Sequence, residues 1–379
     1  MRPIYLDYNA TTPVDSEVLE AMRPYLEEHF GNPSSSHPYG AEAREGVERA
    51  RGQVAGLLGC KPEEIVFTSG GTESNNLAVK GAAQARRARG NHIITTAVEH
   101  PAVAEVVGRL GAAGFRATVL PVDAAGLVDP GDVERAIEAD TVLVTIMHAN
   151  NEVGAIQPIE EISKITRRAG VVFHTDAAQS VGKIPARVEE LGVDLLSVAG
   201  HKLYAPKGVG ALYVRRGTRI EKLMDGASHE RDMRPGTENV AGIVGLGQAC
   251  EIAGRAMPGA SLHMREMRDR LFEGLRGELG GVRLNGHPER RLPNTLSVGF
   301  LNLDASELLS RVEGVAASAG AACHAGGAAG STVLMAMKVP PGYAAGTVRF
   351  STGRRTTAEE IDRAASLVVS AVRRLRGQA

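Results

Sequence analysis

The chain has 379 residues, 43% of them hydrophobic, and carries 43 lysines and arginines against 44 aspartates and glutamates. That length and apolar content suit a globular protein of about two domains, and the balanced charge leaves no basic field to attract nucleic acid or an anionic membrane. The N-terminus MRPIYLDYNATTP has no apolar signal core, no run of about 18 apolar residues occurs, and three cysteines without a CxxC pair argue against a disulfide framework or a thiolate zinc site, so a cytoplasmic location is expected.

From residue 64 the chain repeats one pattern: a short apolar run, a cluster of small polar residues, then a helical stretch. The runs are EIVFTS, HIITTA, ATVLPV, TVLVTIM, GVVFHT, DLLSVA and ALYV, with helical patterns such as SNNLAVKGAAQARRA and IEEISKITRRAG between them. Strands alternating with helices at this spacing predict an α/β fold with a mainly parallel sheet covered on both faces. Past residue 255 the pattern changes. AMPGAS, residues 256–261, reads as a helix break, followed by a long helix in SLHMREMRDRLFEGLRGEL, the strands NTLSVGFL and TVRFSTG, and a closing amphipathic helix TAEEIDRAASLVVSAVRRLRG. The expected division is a large domain over 17–255 and a smaller α+β domain over 1–16 and 256–379.

Ligands of such sheets bind outside the carboxyl ends of the strands, so the residues after each run carry the chemistry. After EIVFTS, Gly70 and Gly71 precede Thr72 at a helix start, a cup whose backbone N–H groups favour an anion or, equally, an ordinary capped turn. It is neither GxGxxG nor GxxxxGK[ST]. After GVVFHT stand Asp176 and Gln179, and after DLLSVAG stand His201 and Lys202. A strand-end lysine near a phosphate cup and a partly buried carboxylate is the pattern for a Schiff base to an aldehyde cofactor whose pyridinium nitrogen needs an acidic partner, which describes pyridoxal 5'-phosphate. His100, in VEHPAV, is placed to stack on a flat ring and to move protons, and HANNE adds Asn150 and Asn151. His92, His148 and His174 read as structural. A metal hydrolase built on His100, His174, Asp176 and His201 is the competing class, but no paired ligand spacing supports it and Lys202 would repel the cation.

In order along the chain, YLDYNATTP, GNPSSSH, TSGGTESNN, VEHPAV, HANNEVGAIQP, HTDAAQSVGK, AGHKLYAPKGVGALY, SHERDMRPGTEN, GAACHAGG and VRFSTGR resemble the cysteine desulfurases of the class V aminotransferase superfamily. The resemblance implies the fold type I architecture of pyridoxal-phosphate enzymes, with a seven-stranded, mainly parallel sheet. It implies that Lys202 carries the cofactor, Asp176 meets the pyridine nitrogen, Gln179 the ring hydroxyl and His100 the ring face, while Gly71, Thr72 and His201 hold the phosphate. Thr237 would reach the phosphate of a neighbouring subunit, which implies a homodimer. Asn151 and Arg349 would fix the substrate carboxylate, and Cys323 would accept sulfur from L-cysteine as a persulfide, releasing L-alanine. An iron–sulfur scaffold protein or a tRNA-thiolation carrier would then take the sulfur.

Glycines around Cys323, Gly320, Gly326 and Gly327, supply the backbone freedom that such a travelling thiol needs. Cys60 and Cys250 read as packing residues. Three motifs depart from the family pattern: Ala199 stands where a Ser or Thr phosphate ligand is common, APKG replaces GPKG at 205–208, and SAGAAC replaces SSGSAC at 318–323. The motifs YLDYNATTP, RPGTEN and GAACH are also similar to selenocysteine lyase, the alternative reading, since a single atom separates the two substrates.

Overall fold

The computed structural model describes residues 2–320 and 330–378, and Cys323, Gly326 and Gly327 lie outside them. Among these residues the strands are β1 (Ile4–Tyr5), β2 (Ile65–Thr68), β3 (His92–Thr96), β4 (Arg116–Leu120), β5 (Thr141–Thr145), β6 (Val172–Asp176), β7 (Leu195–Ala199), β8 (Gly210–Val214), β9 (Val282–Asn285), β10 (Thr295–Phe300), β11 (Val315–Ala316), β12 (Ser318–Ala319) and β13 (Thr347–Ser351). Seven of them form one sheet in the order β2-β8-β7-β6-β5-β3-β4. Only β8 runs antiparallel to its neighbours. Each apolar run of the sequence is therefore a strand of this sheet.

Period-two alternation explains why the runs are continuous in apolar character. Phe67, Ile94, Val144, Phe173 and Leu196 face one core with the helices Pro38–Leu58 and Ile159–Ala169, while Val66, Ile93, Leu143, Val172 and Leu195 face another with the helices Gly71–Ala85 and Pro101–Ala112. A strand buried on both sides has no place for polar alternation. The crossover from β2 to β3 runs one way along the sheet and the path through β5, β6 and β7 returns, so the carboxyl ends of these strands share one edge where the chain reverses direction.

A second core gathers Leu271, Leu275, Val298, Phe300, Phe350, Ile361 and Val372 around the antiparallel sheet β12-β13-β10-β9, together with Ile4 and Leu6 from the N-terminus. The break expected at 256–261 is absent: one helix runs Val240–Glu278 with Pro258 inside it. An interior proline costs a helix about 3 kcal/mol. Here Leu246 and Ala249 anchor one end in the first core and Met267, Leu271 and Leu275 anchor the other end in the second. Burial at both ends outweighs the local defect.

The N-terminal residues act as a strap. Leu6 N–H donates to Ala316, Asn9 N–H to Ser351 Oγ, Thr12 N–H to the His201 carbonyl and Asp15 N–H to the Tyr204 carbonyl. The small sheet is thereby stitched to the loop that carries Lys202.

A buried ion pair fixes the segment 228–237 against β2. Arg51 meets Glu230 at 2.7 and 2.8 Å, Glu230 also accepts from Phe67 N–H at 2.8 Å, and the Arg51 guanidinium lies 4.7 Å from the centre of the Phe67 ring. Replacing Glu230 by alanine removes the buried partner of Arg51 and leaves only the exposed Glu48 carboxylate beside its Nε, so Glu230→Ala is expected to lower stability by about 3 kcal/mol, measured as a drop in the urea unfolding midpoint.

Candidate functional site

The strand ends of the large sheet enclose a cavity of about 310 Å³ lined by Gly71, Thr72, Asn75, His100, Asn151, Asp176, Gln179, Ala199, His201, Lys202 and Arg349, with Asn9, Ala10 and Ser318 closing it. Ten residues singled out in the sequence therefore converge, counting Gly71, Thr72, His100, Asn151, Asp176, Gln179, Ala199, His201, Lys202 and Arg349. Thr237 is exposed and does not line this cavity.

Each wall follows from local structure. The turn after β2 places Gly70 at φ 149°, a backbone conformation that side chains rarely adopt, and starts the helix Gly71–Ala85 at the cavity edge. A Cβ on Gly71 would lie 3.1 Å from the Ala199 methyl, so glycine allows that helix end to close on the end of β7. The unpaired N–H groups of its first turn and the axial dipole give this wall its affinity for an anion. Ser69 N–H donates to Glu73 at 2.8 Å, and Glu73 pairs with Arg234, which ties the glycine turn to the 228–237 segment.

Asp176 ends β6 almost fully buried. Its Oδ2 accepts from Asn75 Nδ2 at 2.7 Å and its Oδ1 from Ala178 N–H at 2.9 Å, so two neutral donors hold the carboxylate in the cavity wall. Lys202 Nζ donates to the carbonyls of Asn9 at 2.5 Å and Ala10 at 2.7 Å. Beside it, His201 Nδ1 meets Thr11 Oγ1 at 3.2 Å, and burial, reinforced by Lys202, Lys207 and Lys183, pushes the His201 ring down to about 4. His201 is therefore neutral at neutral pH and adds no second charge beside the lysine.

On the facing wall His100 caps the helix Pro101–Ala112, its Nδ1 accepting from Ala102 N–H at 3.1 Å. Arg349, on β13, is buried: its guanidinium meets Asp7 at 2.8 Å, Ser318 Oγ at 3.1 Å and the Asn151 carbonyl at 3.1 Å. A cation held this way at the cavity wall suits a carboxylate ligand.

The histidines read as structural lie away from this wall. His92 is satisfied at both ring nitrogens by Thr141 and Thr118, and His174 by Thr145 and Ser197. Asn150 is fixed inside its loop, accepting from the N–H groups of Glu152 and Val153. The metal-ligand set considered above does not form. Among the described residues the one group of three potential ligands within reach of each other is His92, Glu138 and Asp140, and Thr141 and Thr118 already occupy both nitrogens of His92. Cys250 is buried, and burial pushes both its thiol and that of Cys60 up to about 12, which leaves them unreactive. Cys323 lies outside the described residues.

Sequence reasoning missed Asn9, Ala10, Asn75, Ser318 and Lys183. Asn9 stood inside a quoted motif but in a segment without periodicity, and nothing local indicated that the strap would reach the cavity.

Comparison with known proteins extends this picture. The family model described as Aminotransferase class-V matches residues 4–364. The chain is 48% identical over 377 residues to a protein named cysteine desulfurase IscS from Dictyoglomus turgidum, covering 99% of this chain and 96% of that one. Among solved structures, a NifS-like protein superposes with a TM-score of 0.92 at 41% identity, covering 98% of this chain and 99% of the other. A structure described as SspA in complex with cysteine gives a TM-score of 0.83 at 37% identity, with coverages of 93% and 99%.

The histidines behind the site set a pH dependence. Burial pushes His174 down to about 3 and His148 to about 4. Both bind protons more readily when unfolded, so the stability tied to their neutral forms is complete above about pH 6.5 and is lost as pH falls. Burial pushes Glu99 up to about 8, which gives an opposing slope between about pH 4.5 and 8. His174→Gln removes one of these terms, and the stability advantage of the parent over this variant is expected to shrink by up to about 1.4 kcal/mol per pH unit between pH 6 and 4, read from urea unfolding at each pH.

Proposed function

The chain belongs to the class V aminotransferase family, and on that premise we propose that it is a pyridoxal 5'-phosphate-dependent cysteine desulfurase that converts L-cysteine to L-alanine and passes the sulfur to an acceptor protein. The observation that carries this reading is the convergence of Lys202, Asp176 and the Gly71–Thr72 helix end on one cavity that also holds Arg349.

The donor set fits the cofactor. Asp176 would meet the pyridinium nitrogen, Gln179 Nε2 the ring oxygen, and Gly71, Thr72 and His201 the phosphate. Ala199 contributes a methyl there where a hydroxyl would have added a donor. When bound, pyridoxal phosphate supplies an electron sink for bonds at the substrate's Cα and Cβ. Lys202 would hold the cofactor covalently and take the Cα proton of the substrate. His100 would lie over the ring and move protons at the mouth of the cavity. Arg349 and Asn151 orient the substrate carboxylate. Cys323 receives the substrate sulfur as a persulfide, and an iron–sulfur scaffold or a tRNA-thiolation carrier takes it onward.

The subunit is read as one half of a homodimer, with Thr237 serving the neighbouring site. Leu26, Phe30 and Tyr39 are exposed, the rings of Phe30 and Tyr39 lie 5.6 Å apart, and Ser34 meets His229 at 3.3 Å. This apolar patch thereby adjoins the segment that bears Thr237, as a covered face would. The large domain is placed at 17–255 and the small one at 1–16 and 256–379. No helix among the described residues is long and apolar enough to cross a membrane, and a cytoplasmic location is proposed.

Incubating the purified protein with cysteine and, separately, selenocysteine while measuring alanine with sulfide or selenide tests the activity; alanine from selenocysteine alone would instead establish the lyase. Lys202→Ala is expected to abolish the visible absorbance of the bound cofactor together with turnover, and a borohydride-reducible adduct on another lysine would overturn that role. Cys323→Ser is expected to retain the cofactor and lose persulfide formation, because a hydroxyl stays protonated near neutral pH and attacks sulfur poorly. Extra mass found on Cys60 or Cys250 after cysteine treatment would refute the assignment. Light scattering should give twice the chain mass for the parent and a shift toward the monomer for Phe30→Asp.

A further inference from the structure

Lys183 lies on no motif role and does not line the cavity, yet it is a second lysine beside it, 5% exposed and on the far side of Gln179. Its Nζ donates to Gln179 Oε1 at 2.7 Å and lies 3.4 Å from Asn9 Oδ1. Gln179 Nε2 donates to the Asn9 carbonyl at 3.0 Å. A backbone carbonyl only accepts, so the amide nitrogen must face it and the amide oxygen must face Lys183. The Asn9 side chain is fixed by the same logic: its Nδ2 donates to the Asn151 carbonyl and to Thr295 Oγ1, and its Oδ1 accepts from Asn294 Nδ2 at 2.9 Å.

We infer that Lys183 is a positioning residue for Gln179, holding the amide oxygen away from the cavity so that Gln179 presents only N–H donors to whatever occupies it. One Nε2 hydrogen is taken by Asn9, and the second is left for the cavity that Gln179 lines. Three positions earlier, at the end of β6, Asp176 is an acceptor held by two donors. The cavity lining thereby offers an N–H donor and a separate acceptor, and it selects a flat ring that carries a matching acceptor and donor on its rim. Burial, with Lys202 and Arg349 nearby, pushes the Lys183 amine well below the usual lysine range. In either protonation state the amine carries at least two N–H groups, which match the two oxygens around it.

This inference rests on the reading of the cavity as a pyridoxal-phosphate site, and the test separates the two. Apoprotein of the parent, Lys183→Met, Gln179→Leu and the double variant is titrated with pyridoxal phosphate, following the dissociation constant and the visible circular dichroism of the bound form. Lys183→Met is expected to weaken binding about ten-fold, the cost of an unsatisfied buried oxygen and a freed amide, and to change the dichroic band. The double variant is expected to bind no more weakly than Gln179→Leu alone, because Lys183 acts through Gln179. Independent losses that multiply in the double variant, or a Lys183→Met protein with parental affinity and spectrum, would overturn the positioning role while leaving the cofactor site standing. A parent that takes up no pyridoxal phosphate would overturn both. If Lys183→Met fails to fold, the inference still requires the double variant to fold as Gln179→Leu does, since leucine removes the orphaned oxygen; a double variant that unfolds alone overturns it.

Discussion

The backbone carbonyl of Asn9 accepts both from Lys202 Nζ at 2.5 Å and from Gln179 Nε2 at 3.0 Å, and much of the site is organised around it. A carbonyl oxygen has two lone pairs and can serve both donors, and the N-terminal strap holds this one between them. Ile4 and Leu6 are buried in the second core, and Asn9, 1% exposed, exchanges hydrogen bonds with Ser351, Thr295, Asn294 and Asn151. The strap therefore belongs to the small sheet by packing and to the large sheet's cavity by hydrogen bonding. Lys202 and Arg349, on separate sheets, are held at one cavity through this seam.

The helix Val240–Glu278 performs the corresponding task at larger scale. Its two ends lie in different cores, so rotating one core against the other would require bending a 39-residue rod or withdrawing one end from its apolar surroundings. The same economy holds at the 228–237 segment, where Glu230 is locked to Arg51 and β2 while Arg234 holds Glu73 at the glycine turn. Anion affinity at that turn thus depends on contacts made well away from the strand that creates it.

Within the cavity, charges are placed by opposition. Asp176 is held by amide donors, Arg349 is held by Asp7, Ser318 and the Asn151 carbonyl, and Lys202 donates to the carbonyls of Asn9 and Ala10. The lowered His201 limits the positive charge that gathers around the neighbouring lysines.

The sequence by itself determined the strands, the faces they bury and the chemistry at their carboxyl ends, because these depend on short-range periodicity and on which residue follows each run. Gly71, Asp176, His201 and Lys202 were legible for that reason, and the order of the motifs carried the family resemblance. Tertiary structure alone decided the rest. The helix break expected around Pro258 is absent because the two ends of the helix are buried in two distant cores, an effect that no local window contains. Asn9, Asn75 and Ser318 reached the cavity through partners 31 to 342 positions away, Lys183 bears on it through a hydrogen bond that fixes an amide's orientation, and neither spacing nor composition encodes which way an amide points.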